Sequence, residues 1–139
     1  MFPCRGKSAS SQVTDLINNM AGSNYGMIWL DVETNPSSGC SWSGFSDASN
    51  CQYLVDLVNA VKSQGKTPGI NSNFYMWESI MGGASQCQGL SSVPLWYAHY
   101  DGQSSFSNYR KFGGWSKPNI KQYIGDTTLC GAAVDINFY

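Results

Sequence analysis

The chain is short of charge, of basic runs and of the short motifs that mark most nucleotide and metal sites. Its 139 residues include 8 Lys and Arg, 9 Asp and Glu and one His, so charged residues make up 12% of the sequence and the net charge is −1. That share is about half the usual one. No basic run is present to track a phosphate backbone, which argues against nucleic acid as a partner. No apolar stretch approaches the ~20 residues of a membrane span. The opening MFPCRGKSAS has no apolar h-region and does not read as a signal peptide. Neither GxGxxG nor GxxxxGKS/T occurs, so nucleotide binding has no support, and no CxxC or Cys/His pairing points to zinc. The length fits a single domain over residues 1–139 that buries roughly two thirds of its unfolded surface.

What is present is aromatic, neutral and rich in cysteine. Aromatics reach 14%, and with abundant Ser, Asn and Gly they suit uncharged polar ligands such as sugars. Five scattered cysteines (Cys4, Cys40, Cys51, Cys87 and Cys130) point to disulfides and an oxidising compartment, the alternative being free core thiols. The nearest pair, Cys40 and Cys51, brackets a loop whose closure is worth about 3 kcal/mol, and this is the expected bridge. The odd count leaves one cysteine without an intrachain partner, as in a chain that lacks a part.

Strand-like and helix-like segments alternate. Val13, Leu16, Ile17 and Met20 recur at helical spacing and end at Gly22. MIWLDVE follows as a near-continuous apolar strand of the kind buried on both faces of a parallel sheet. After a Ser/Gly/Cys-rich loop over 36–49, Leu54, Leu57, Val58 and Val61 predict a second helix, with Asn50 as N-cap and Gly65 just past its end. TPGINS is a short strand. Phe74, Trp77 and Ile80 mark a third helix closed by Gly82-Gly83, PLWYAHYD is a further strand, and IKQYI and AAVDINF are two late ones. This order predicts α/β architecture with a parallel sheet. The late strands lack clear helices between them, which favours a barrel over a doubly wound sheet. A barrel puts its functional face at the strand C-termini, where Asp31/Glu33, Ser72/Asn73, Tyr100/Asp101 and Asp135/Asn137 collect.

Side chains alternate across a strand, so Asp31 and Glu33 point the same way with Cα atoms roughly 6.5–7 Å apart. Two carboxylates facing an enclosed mouth cannot both ionise freely, and one pKa is expected to rise. A protonated acid beside an ionised one is what glycosidic cleavage needs. Taken alone, D-x-E equally describes solvated turn residues, caps or cation ligands. VDIN repeats the pattern: Asp135 either follows ordinary amphipathy or joins Asp31 and Glu33, giving a sugar site or a divalent-cation site. In LWYAHYD, Trp96, Ala98 and Tyr100 share a face that either walls a sugar pocket or fills core. The single histidine, His99, has no Ser or Cys motif beside it that would make it a triad base.

MIWLDVE with its following Asn, Trp77, LWYAHYD, the Trp-Lys-Pro and IKQYIGD run, and the C-G-AVDIN-F ending together resemble the family 25 glycoside hydrolases, the Chalaropsis-type lysozymes, in their animal or protist branch. The resemblance spans essentially the whole chain. It implies a modified TIM-like (β/α) barrel and cleavage of the β-1,4 bond between N-acetylmuramic acid and N-acetylglucosamine in bacterial peptidoglycan. It carries the family's catalytic set onto Asp31, Glu33 and Asp135: Glu33 as general acid, Asp31 orienting the substrate's own attacking 2-acetamido group, Asp135 hydrogen-bonding within the site. Tyr75, Trp96, Tyr100, Tyr123 and Asn137 are the implied substrate contacts. No metal or cofactor is implied, and the expected setting is a monomer, secreted or in a lysosomal or phagosomal space. The chain opens where the family's third strand ends, so the barrel is expected to lack its first two strands, roughly 50–60 residues of an ordinary barrel domain. A non-catalytic sugar-binding module and a cation-binding structural protein are the other readings of the same residues.

Overall fold

Alternating buried positions place five strands in one sheet. In the computed structural model, which describes residues 1–139, they are β1 (Met27–Asp31), β2 (Thr67–Ser72), β3 (Leu95–Ala98), β4 (Ile120–Leu129) and β5 (Ala132–Phe138), adjacent in that order. Strands β1 to β4 pair in parallel, whereas β5 returns antiparallel along β4. The architecture is therefore α/β with a mixed sheet, an open half-barrel, and the all-parallel expectation fails at its last strand. The reason is local. Cys130 and Gly131 both take positive φ (52° and 79°), the conformation of a two-residue hairpin turn, and no crossover helix is needed.

Three helices cover one face: α1 (Ala9–Asn19), α2 (Asp47–Ser63) and α3 (Phe74–Met81). Each begins at a polar cap: the hydroxyls of Ser8 and Ser46 accept from the backbone N–H of Ser11 and Ser49, and the Asn73 side chain accepts from Met76. Helix α2 thus starts one turn before the cap expected at Asn50. That asparagine is buried within the helix, donating to the Trp42 and Ile80 carbonyls and accepting from Arg5 Nε at 3.0 Å. Ile28, Leu30, Val32, Ile70 and Leu95 of the sheet pack against Leu54, Leu57, Val58 and Val61 of α2, joined by Trp77 of α3. Each such fully buried side chain contributes about 1.5–3 kcal/mol. The sheet's other face carries the polar and aromatic positions between them.

Phe2-Pro3-Cys4, strand-like in sequence, forms no strand. It runs beside the outer edge of β1, where Asp31 donates its N–H to the Met1 carbonyl at 2.9 Å and the Asn35 amide donates to Pro3 at 3.0 Å. The disulfides are Cys4–Cys40 and Cys51–Cys87, each spanning 36 residues, and Cys130 is free and exposed. The expected Cys40–Cys51 pairing is corrected. Cys51 sits in the first turns of α2, which aims it at the segment after α3. Cys40 meets Cys4 because Arg5 N–H donates to the Cys40 carbonyl and the Tyr53 hydroxyl holds the Cys4 carbonyl at 2.8 Å. Loops of this length are worth about 4 kcal/mol each by chain entropy.

The long segment after β3 is held by one buried cation. Lys121, with no exposed surface, directs Nζ to both Asp101 oxygens (2.9 and 2.8 Å), to the carbonyls of Gln103 and Ser105 and to Asn108 Oδ1. Burial pushes the Asp101 carboxyl up, but hydrogen bonds from Lys121, Asn108 and Gln103, with the ammonium charge, hold it well below the usual carboxylate range. A depressed carboxyl stabilises the fold above its unfolded pKa of about 3.9, and that contribution is lost as pH falls through the folded value. Replacing Lys121 with Ala strands five acceptors around a cavity. The expected cost is about 3 kcal/mol, lowering the thermal midpoint at pH 7 by roughly 10 °C. A midpoint within 2–3 °C of the parent (about 1 kcal/mol) would show that water replaces the ammonium there.

Candidate functional site

Residues that alternate with the core positions of β1 face away from the helices. Trp29 and Asp31, with Glu33 just beyond the strand, line a cavity of about 340 Å³ together with Asn71, Trp96, Ala98, Tyr100, Gln122 and Asp135. Asn71 stands opposite Asp31 in the β1–β2 register, and Gly69 stands opposite Trp29. A Cβ at Gly69 would lie 2.3 Å from the indole, so glycine is what lets that ring lie across β2. Trp29 then meets Trp96 edge to face at 5.5 Å, and Trp96 Nε1 donates to Asn137 Oδ1 at 2.8 Å. Two indoles fixed in this way make a rigid aromatic wall.

The opposite wall depends on irregular pairing. Between β4 and β5 the register shifts twice, between Gln122 and Ile124 and between Ile124 and Thr127. Asp126 lies in the second shift with φ 54°, and its backbone N–H donates to Asp135 Oδ1 at 2.9 Å. Gln122 Nε2 donates to the other oxygen, Oδ2, at 2.6 Å, while Gln122 Oε1 accepts the Tyr100 hydroxyl at 3.2 Å. The bulge re-aims the strand so that Asp135 is gripped at both oxygens. Across the cavity Asp31 has no such partners: its Oδ1 is buried without a hydrogen bond. Burial first, and then the charge of Glu33, push the Asp31 carboxyl up to about 6 against a smaller opposing pull from the terminal ammonium. The Tyr100 phenol is also raised, by burial and then by Asp135, Glu33, Asp126 and Asp31.

Asp31, Glu33, Asp135, Trp96 and Tyr100 are therefore brought together, and the raised member of the carboxylate pair is Asp31. Other expected members lie elsewhere. Asn137 stands behind Trp96 as its acceptor. Tyr75 lines a neighbouring cavity. Tyr123 lines neither, and its carbonyl accepts from Gly102. Of the other strand-end polar residues, Ser72 donates to the Val32 carbonyl at 2.8 Å, Asn73 caps α3 and Asp101 binds Lys121. His99 lies 3.6 Å from Asp101, outside the cleft. No group of three His, Cys, Asp or Glu is arranged to hold a metal ion. Trp29, Asn71 and Gln122 were missed. Trp29 was findable, since it is two residues before Asp31 on the same strand. Asn71 depends on the β1–β2 register and Gln122 on the bulged hairpin.

A family model described as lysozyme-like protein 1 matches residues 1–123. Among curated proteins, the chain is 40% identical over 142 residues to probable GH family 25 lysozyme 2 of Dictyostelium discoideum, covering 100% of this chain and 63% of that protein. In fold it is similar to the bacterial lysozyme from Streptomyces coelicolor, with a TM-score of 0.73 at 21% identity over 99% of this chain and 64% of that one. It is likewise similar to a family GH25 lysozyme from Aspergillus fumigatus, with a TM-score of 0.72 at 24% identity over 97% of this chain and 63% of that one. The chain spans a little under two thirds of each.

The buried, unpartnered Asp31 has a measurable signature. A raised carboxyl pKa means that the folded state binds its proton more tightly, so this group's contribution is favourable below its unfolded pKa and is lost as pH rises toward 6. Asp31→Asn is therefore expected to raise the thermal midpoint at pH 7.5 and to leave it unchanged near pH 3.5. In a carboxyl NMR titration, Glu33→Gln is expected to lower the Asp31 midpoint, because it removes a repelling charge. An Asp31 midpoint near 4 in the parent would remove the burial argument.

Proposed function

This chain belongs to the lysozyme-like family within the GH25 lysozymes, and from that membership we propose that it hydrolyses the β-1,4 bond between N-acetylmuramic acid and N-acetylglucosamine in bacterial peptidoglycan. The observation that carries the proposal is the buried Asp31 Oδ1, which lacks a partner beside Glu33 on the floor of a cleft walled by Trp29 and Trp96. An acceptor left unsatisfied in the free protein is ready to take a donor from a ligand. The N–H of a sugar's 2-acetamido group is such a donor.

In this reading Glu33 protonates the departing glycosidic oxygen. Asp31 accepts the acetamido N–H, so that the amide oxygen becomes a better nucleophile and closes on the anomeric carbon. Glu33, now ionised, takes a proton from the water that opens the cyclic intermediate, and configuration is retained. This is the substrate-assisted variant, for which the usual carboxylate-separation rule does not apply. Asp135, gripped by Gln122 and the Asp126 N–H, is placed to hold a sugar hydroxyl. Two disulfides suit an oxidising compartment, and no helix is long and apolar enough to cross a membrane. The setting we assign is a monomer acting in a secreted, lysosomal or phagosomal space.

The five-stranded sheet runs from β1 to β5 without closing on itself, and this favours one second reading: a module that binds the glycan without cutting it. Clearing of a peptidoglycan suspension separates the two. Glu33→Gln is expected to clear at least about 10²-fold more slowly than the parent. The parent rate is expected to fall as pH drops through about 6, where Asp31 takes up its proton. Equal clearing by parent and variant would remove Glu33 from its role. Binding by calorimetry with no clearing by either would establish the second reading.

A further inference from the structure

A second cavity, of about 380 Å³, adjoins the acidic cleft and shares Ala98 and Tyr100 with it. Its walls include Phe74 and Tyr75 at the start of α3, Tyr97 and His99 of the β3 region, and Arg110 from the segment after β3. No carboxylate lines it, in contrast to the cleft beside it. The Arg110 guanidinium sits over Phe74, its carbon 3.4 Å from the ring centroid, with Tyr75 at 5.8 Å. The ion pairs of the chain join Asp101 to Lys121 and to His99, so Arg110 has no acidic partner. A guanidinium held over an aromatic ring and without an acidic partner keeps the fork of N–H donors that can receive a carboxylate through two parallel hydrogen bonds.

We propose that this cavity is a subsite for the peptide stem of peptidoglycan, with Arg110 pairing with a stem carboxylate and Tyr75 packing against the stem's aliphatic parts. The inference rests on the muramidase reading of the cleft, because the muramic acid residue is the sugar that carries the peptide. The glycan itself offers the cleft hydroxyls and acetamido groups. The stem offers free carboxylates, which Asp31, Glu33, Asp126 and Asp135 repel. A cation held over an aromatic ring in the cavity that shares Ala98 and Tyr100 with that cleft separates the two chemistries: neutral sugar on one side, anionic peptide on the other. Tyr75 is 69% exposed in the free chain, and a bound stem would give that ring a face to cover.

Calorimetry in a Glu33→Gln background, in which turnover is expected to be slow, tests this at low salt, where an exposed ion pair is least screened. The probes are a peptide-free N-acetylmuramic acid–N-acetylglucosamine tetrasaccharide whose lactyl carboxyls are capped as methylamides, so that it is neutral, and the same tetrasaccharide bearing its stem peptides. The expected result is about 5- to 10-fold tighter binding of the peptide-bearing form, the size of one charge-assisted contact. Adding Arg110→Gln should bring the ratio of the two dissociation constants to about one, and Arg110→Lys, which keeps the charge without the planar fork, should leave an intermediate ratio. A ratio near one in the Arg110-containing protein, or a preference that survives Arg110→Gln, overturns the subsite and leaves the glycan cleft standing. Binding of the peptide-bearing probe alone, lost on Arg110→Gln, upholds the subsite and shows that the stem supplies most of the affinity, the muramidase reading being judged separately by the clearing assay. Binding of neither probe removes both.

Discussion

Everything in this molecule depends on β1 having two unlike faces. Ile28 and Leu30, with Val32 just beyond, are buried beneath the helices, while Trp29 and Asp31, with Glu33, open on the cleft. A slip of one residue in the pairing of β1 with β2 would put Asp31 into the apolar layer and a leucine into the cleft. The parallel register, with Asp31 opposite Asn71 and Trp29 opposite Gly69, is held against that slip by the apolar burial on the helix side. The same partition gives Asp31 its chemistry. It is close enough to the sheet to lose water and far enough from any donor to stay unpaired.

Around this strand, polar side chains perform structural work usually left to apolar ones. Lys121 gathers the chain between Asp101 and Asn108 around a single ammonium. Asn50 ties α2 to the Trp42 loop and to the end of α3. Cys4–Cys40 and Cys51–Cys87 each link segments 36 residues apart in the chain. Each device ties a loop to a distant part of the chain. Asp101 illustrates the cost: a strand-end carboxylate with the look of a site residue is wholly committed to Lys121.

The cleft is predominantly acidic. Asp31, Glu33, Asp126 and Asp135 all raise the Tyr100 phenol, and Arg110, a cation without an acidic partner, lies in the adjoining cavity that shares that ring. A neutral ligand meets no charge repulsion in such a cleft, whereas an anion does. Tyr100 is thus a partition between two environments as well as a wall of one. Its hydroxyl, through Gln122, is also linked to the aspartate opposite Asp31.

Much of this was legible in the residue order. The three helices, the alternation that puts Asp31 with Glu33 and Trp96 with Tyr100, and the capping glycines after the helices follow from local periodicity and backbone preference, which act over a few residues. The family resemblance rests on motifs of the same short range. What local pattern could not supply was anything that depends on distant segments meeting. Cys40 paired with Cys4 rather than with its neighbour Cys51, Asn50 left its capping role for two tertiary carbonyls, and Asn137 turned to hold Trp96. Tyr75 fell into a second cavity, and Gln122 joined the first only because two register shifts bend the last hairpin. Sequence alone determined which residues share a strand face, because the period of two is built into the extended chain. Only the tertiary structure decided which faces meet, because that is set by burial of the common core and by hydrogen bonds between residues tens of positions apart.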